Sequence, residues 1–284
     1  MNNDKINRKK GDNMNPYLPI RKVPLDYNGV QSSAFSVQMN HPSPTMVDEW
    51  KECGVVGQNY MLLPNEDVKK AAKQVAEECN IEFVHDKTFF NGRQYVYSMK
   101  SPKVIGEVKP DDDVALGMQF WNSYDGSKSF GYSLMLYRLI CTNGMMSKDH
   151  FNTYKFKHEP TSENWDENLE KVVTNINNMS NGSYKLEEFI SSLRKLNNLD
   201  VTMNKLGSIR HDYLQDIPVG LWGQIVDRFI HPTEGSYSCK DTNTKTGWQL
   251  LNASTDILWH KENPTITSYN QNQMIVDGLC RAVA

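Results

Sequence analysis

Asn122-Ser123-Tyr124-Asp125-Gly126-Ser127-Lys128-Ser129 separates two apolar runs, residues 114–121 and 130–140. Asp125-Gly126 has the residue types of a two-residue hairpin turn, in which both central positions take φ > 0. That turn sets a register, with Trp121 opposite Phe130 and Gln119 opposite Tyr132 on one face. On the other face Phe120 opposes Gly131 and Met118 opposes Ser133, large against small. The first face then presents Trp121, Phe130 and Tyr132 together. A slip of one residue exchanges the two faces, so everything placed on this hairpin depends on its loop.

Working upstream, residues 81–84 and 94–99 are short β-like runs with a turn at Asn91-Gly92 between them. Residues 59–63 predict a further strand, stopped by Pro64. Asn65 is placed to cap a helix, with Glu66 and Asp67 favourable beside its positive N-terminus. Val68, Ala71, Ala72, Val75, Ala76 and Cys79 then recur at helical spacing on one face.

Downstream the pattern is helical. Ser162 caps a helix with Trp165, Leu169, Val172, Val173, Ile176 and Met179 inward, ended by Asn181-Gly182. Ser183 starts another, with Leu186, Phe189, Ile190, Leu193 and Leu196 inward. Further helices are predicted over residues 218–230, 246–261 and 272–284. Strands first and helices later give an α+β fold: an antiparallel sheet with a long central hairpin, then a helical C-terminal half. The organisation expected is a flexible basic arm over 1–22, a sheet domain over 23–158 and a mainly helical region over 159–284 packed on it.

A length of 284 residues is ample for a buried core. With 23% charged residues and a net charge of −3, the chain is neither a polyelectrolyte nor uniformly basic. No apolar run approaches the roughly 18–20 residues of a membrane span, and the N-terminus is polar rather than signal-like. The five cysteines form no CxxC pair, which removes zinc ribbons and thioredoxin motifs; reduced thiols fit a cytoplasmic protein. Lys5, Arg8, Lys9, Lys10, Arg21 and Lys22 make the arm basic against Asp4 and Asp12. It reads either as a contact for something anionic or as a solvated tail.

Phosphate-loop and dinucleotide fingerprints are absent, as are the nucleophile elbow and paired zinc histidines. Asp111-Asp112-Asp113 after Pro110 reads as a solvated turn. No catalytic residue, metal or cofactor is therefore expected. Residues 138–158 are the informative stretch: Arg138, Lys148, Lys155 and Lys157 face Asp149 alone, with Phe151, Tyr154 and Phe156 interleaved. Cations that track phosphates and rings that stack on unpaired bases are how single strands are held. The bland alternative is an edge strand whose lysines discourage aggregation. Asn122 and Asn143 sit where strands meet turns and are expected to bond nearby backbone, while Trp248 and Trp259 are expected in the core.

Several of these segments, taken in order, carry a resemblance. Asn122-Ser123-Tyr124-Asp125-Gly126-Ser127, Arg138-Leu139-Ile140-Cys141-Thr142-Asn143, Lys155-Phe156-Lys157-His158 and the later Trp248 with Asn252-Ala253 and Thr255-Asp256 resemble the phage/plasmid-like family of unknown function. Residues 59–66 fit its upstream segment, and Tyr124 stands where that family leads one to expect His. The resemblance implies a phage, prophage or plasmid origin and a bacterial host cell, and it brings no established activity. The order of elements is also similar to that of the single-strand annealing recombinases, which implies binding of single-stranded DNA by a ring or helix of subunits.

The function expected is thus non-enzymatic binding of single-stranded DNA, with annealing by a homo-oligomer. Arg93, Arg138, Lys148, Lys155 and Lys157 are expected on phosphates, and Trp121, Tyr132, Phe151 and Tyr154 on bases. Asn122, Asp125 and Gly126 form the turn. The alternative is an interaction protein that binds a host or phage replication or defence factor, with no membrane partner in either case.

Overall fold

The computed structural model describes residues 15–41, 49–139, 143–151, 153–156, 165–181, 184–232, 245–260 and 266–284. Among them the first half holds strands β1 (Ile20–Tyr27), β2 (Val30–His41), β3 (Glu49–Gly57), helix α1 (Asn65–Glu78), β4 (Val84–Phe90), β5 (Gln94–Glu107), β6 (Asp113–Ser123) and β7 (Phe130–Arg138). Short strands β8 (Asn143–Met145) and β9 (Thr153–Phe156) follow. The remainder is helical: α2 (Trp165–Ser180), α3 (Tyr184–Asn197), α4 (Met203–Tyr213), α5 (Val219–Ile230), α6 (Gly247–Trp259) and α7 (Ile266–Arg281). The α+β class read from periodicity is the one observed.

Two antiparallel sheets form. One has the order β1-β2-β3; the other runs β4-β5-β6-β7-β8, with β9 pairing β7 beside β8. The central hairpin β6–β7 is present but shifted by one residue from the predicted register. Trp121 faces Gly131 and Phe120 faces Tyr132. Gly126 does take a positive φ of 68°, while Asp125 is outside the left-handed region. Instead the Asp125 carboxylate accepts the Ser127 N–H at 3.0 Å, and Ser123 Oγ donates to the Lys128 carbonyl at 2.8 Å. The connection therefore spans residues 124–129, and the longer loop moves the partner of every β6 residue by one.

This shift separates the rings that the sequence reading had grouped. Leu116, Met118, Phe120, Tyr132, Leu134 and Leu136 share one face and join the core that includes Val68 and Val75 of α1 and Val172 and Ile176 of α2. Asn175 of α2 donates to the Tyr132 hydroxyl there at 2.8 Å. Trp121 lies on the opposite face, in a cluster with Met135, Tyr137, Met146, Trp259 and Tyr269. Trp248 and Trp259 are core residues, as expected.

Other expectations need correcting. The two-residue turn with both φ > 0 occurs at Asn28-Gly29 (φ 53° and 80°), where Tyr27 pairs Val30. It opens a sheet absent from the expected organisation, in which Phe35, Val37 and Met39 alternate with Ser36 and Gln38. Arg21 and Lys22 belong to β1 rather than to an arm: Arg21 lies over the Trp50 ring, and Lys22 donates to the Gln58 and Tyr60 carbonyls. Residues 1–14 of the arm, and the Ser162 cap, lie outside the described residues. Residues 59–63 form no strand, and Pro64, not Asn65, is the N-cap of α1. Helix α4 was not foreseen. Among the described residues no helix is long and apolar enough to cross a membrane.

Candidate functional site

Two rows of side chains run across the large sheet on the Trp121 face. Ser98 of β5, Gln119 of β6, Ser133 of β7 and Thr153 of β9 are successive partners in register. The next row is Val96, Trp121, Gly131 and Lys155. A β-carbon at Gly131 would collide with the Trp121 indole and the Tyr154 carbonyl, so only glycine lets the indole lie across β7. The first row is polar, yet Ser98, Gln119 and Ser133 are buried and Thr153 is half-buried. It is held by Gln119 Nε2 donating to Ser98 Oγ at 3.1 Å and by a 3.3 Å contact between the Ser133 and Thr153 hydroxyls.

Above this floor lies a cavity of about 350 Å³. Gln119, Trp121, Thr153 and Lys155 line it from the sheet; Ser127, Lys128 and Ser129 come from the hairpin loop. Met146 and Lys148 form one wall, and Tyr269, Asn270 and Gln273 of α7 form the other. Among the described residues, three lysines and no acidic residue line it. Among the described residues none of those three ammonium groups is in an ion pair. Gln273 is buried, and among the described residues its Nε2 has no hydrogen-bond partner.

Helix α7 both walls the cavity and fixes the segment that carries Lys148. Asn272 Oδ1 accepts the Met146 N–H at 3.1 Å, and its Nδ2 donates to the Gly144 carbonyl at 2.9 Å. The Asp277 carboxylate accepts the Ser147 hydroxyl at 2.6 Å and the Lys148 N–H at 3.1 Å. Ser147, His150 and Asp277 are the residue types of a hydrolase triad, but they are connected in another order. The serine hydroxyl donates to the carboxylate and so receives, rather than delivers, the His150 Nδ1 hydrogen at 2.8 Å. Ser147 is also fully buried. Burial pushes the Asp277 carboxyl up and the His150 imidazole down from their ordinary values. This is a structural latch rather than an activated nucleophile.

The sequence-derived site residues divide accordingly. Trp121, Lys148 and Lys155 meet in the cavity, and Lys128, which sequence reading passed over, joins them. Its signal was available: a lysine in the loop of the hairpin that carries Trp121. Arg93 is exposed on the β4–β5 turn, where its carbonyl accepts the Tyr124 N–H; it stands near the hairpin loop but does not line the cavity. Tyr132 is fully buried on the far face, and Phe151 is packed against Phe189 with ring centroids 5.4 Å apart. Tyr154 is half-buried and stacked on Tyr132 at 5.3 Å. Tyr132 and Phe151 are core and Tyr154 packs half-buried against it, the register sending Tyr132 and Tyr154 to the face that α1 and α2 cover. Arg138 is withdrawn too: it is 2% exposed and forms an ion pair with Asp112. Asp112 is thus not part of a solvated turn. Lys157 lies outside the described residues.

The asparagines also reach further than expected. Asn122 Nδ2 donates to the Leu63 carbonyl at 2.8 Å and to Asn65 Oδ1 at 3.0 Å, while Tyr124 OH accepts the Asn65 N–H. Asn143 Oδ1 lies 2.8 Å from His260 Nε2, and its Nδ2 donates to the Asn252 carbonyl at 3.4 Å. Segments far apart in sequence are thereby tied around the large sheet. The family model described as a domain of unknown function, DUF932, matches residues 52–278. The chain belongs to the DUF932 family. No curated protein and no solved structure matches the chain. Within the DUF932 region, Arg138, Asn143, Trp248 and Asn252 of the resemblance motifs are occupied with clamping strands to α6. Among the described residues the cavity lysines form no ion pair.

Proposed function

We propose that this chain is a non-enzymatic DNA-metabolism protein of phage or plasmid origin that holds single-stranded DNA at the cavity beneath α7. One observation carries the reading. Among the described residues, three lysines that form no ion pair meet one indole in a pocket lined by no carboxylate. Phosphates supply the missing counter-charge, and an unpaired base supplies a π-face for Trp121. The Gln119 amide and the Thr153 hydroxyl on the floor suit the polar edges of a nucleotide better than an apolar ligand. Annealing of two strands calls for several such sites side by side, so self-association belongs to the same reading.

An electrophoretic shift with labelled oligonucleotides, with and without Mg²⁺, tests it. The expected result is a salt-sensitive complex that forms in either condition without cleavage of the strand. Light scattering of the same samples is expected to show an assembly larger than the 32.6 kDa chain. Absence of a complex at low salt overturns the DNA reading. It would move the proposal to a host or replication protein as partner.

A further inference from the structure

A groove that tracks a strand is open along several nucleotides, whereas this cavity is at the small end of the roughly 300–1,000 Å³ range of small-molecule sites. One of its walls is α7, whose Tyr269 and Gln273 are each 3% exposed. Its chemistry is graded. The ammonium-bearing Lys148 and Lys155 are exposed, and Lys128 is half-buried on the hairpin loop. Trp121, Gln119 and Gln273 are buried.

Gln273 supplies the second, independent observation. Its buried Nε2 has no acceptor among the described residues, a situation that native interiors avoid unless something else provides one. A ligand with an anionic group outside and a flat, acceptor-bearing group inside satisfies the whole arrangement. We infer that the cavity takes in a single nucleotide of the strand, its phosphates on Lys128, Lys148 and Lys155 and its base between Trp121 and α7, with a ring acceptor facing Gln273. This inference rests on the DNA-binding reading and adds that contact is made base by base, not through the backbone alone.

The test compares two strands of equal length, one of ordinary deoxynucleotides and one with the same phosphates but no bases, titrated against the intact wild-type protein at fixed salt. Tenfold or greater preference for the base-bearing strand is expected. With Gln273→Leu that preference should shrink several-fold, and melting curves check that the variant is folded. Gln273→Met gives the same comparison should the leucine variant unfold. Equal binding of the two strands by wild type overturns the inference while leaving backbone-held DNA binding intact. No binding of either strand overturns it together with the reading beneath it. A preference that Gln273→Leu and Gln273→Met both leave unchanged removes Gln273 from the site and overturns the placement of the base.

Discussion

Arg138 and Asp112 form a two-point ion pair in the interior: Nε donates to Oδ1 at 2.6 Å and Nη2 to Oδ2 at 2.7 Å. Neither side chain is more than 2% exposed. The Trp248 indole N–H completes the carboxylate at 2.9 Å, so the β5–β6 turn, the end of β7 and helix α6 converge on one group. Removing one partner of such a pair leaves the other charged and dry. Asp112→Ala is expected to cost about 3–5 kcal/mol in urea unfolding. The double replacement Asp112→Leu with Arg138→Met should cost clearly less, because no lone charge remains. Equal costs would show that the pair is not desolvated.

The one-residue register shift has its own signature. Gly131→Ala is expected to destabilise by about 1–3 kcal/mol through overpacking against the Trp121 indole and the Tyr154 carbonyl. Trp121→Leu should relieve part of that cost, giving a coupling of at least about 0.5 kcal/mol. The predicted register paired Gly131 with Phe120 instead, and coupling to Phe120→Leu alone would restore it. Gly126→Val should cost a further 1–2 kcal/mol or so, because a β-branched residue is strained at φ 68°.

For DNA binding, Lys128→Ala, Lys148→Ala and Lys155→Ala are each expected to weaken all oligonucleotide sequences about equally. Each should lower the salt slope by roughly 0.7. Tyr132→Ala and Phe151→Ala should behave differently, losing about 3–5 kcal/mol of stability as core residues do. A folded triple-lysine variant that binds like wild type would leave the cavity without its ligand.

Lys87 makes stability depend on pH. Its ammonium donates to the Trp259 carbonyl at 2.5 Å and sits 3.7 Å from that ring's centroid, and burial pulls its pKa down to about 7 despite nearby Asp86. Between pH 7 and 9 the unfolded chain keeps a proton that the folded one sheds, so this group makes the fold more stable as pH rises. The gain is no more than about 3 kcal/mol over that interval. Urea unfolding at pH 7, 8 and 9 should show wild type rising relative to Lys87→Met. Parallel curves would refute the shift.

The helices were legible wherever an apolar face repeats without interruption, as in Leu186, Phe189, Ile190, Leu193 and Leu196 of α3, all buried. Helix α4 carries only Leu206 and Ile209 as buried residues, too sparse a stripe to read. The first sheet was legible in principle through Asn28-Gly29 and the alternation in β2, but the apolar/polar pattern there runs only from Phe35 to Met39, and the start of the strand, Val30-Gln31-Ser32-Ser33, is mostly polar and exposed. Of the candidate site, the bases Lys148 and Lys155 and the ring Trp121 were legible as residue types. That they meet was not, because strands β6, β7 and β9 and helix α7 come together only in the folded chain.

Period and turn chemistry, which act over a few residues, determined the α+β class, the central hairpin and the helical second half. Only the tertiary structure decided which face each residue shows and which charges stay in water. The partner of Arg138 is 26 positions away, and those of Asn122 are 57 and 59 positions away. The length of one loop moved Trp121 from Tyr132's face to the polar floor under α7. Burial depends on such long-range contacts. The same residue types therefore read alike in sequence and end as a core ring at Tyr132, a buried ion pair at Arg138, or an open cation at Lys155.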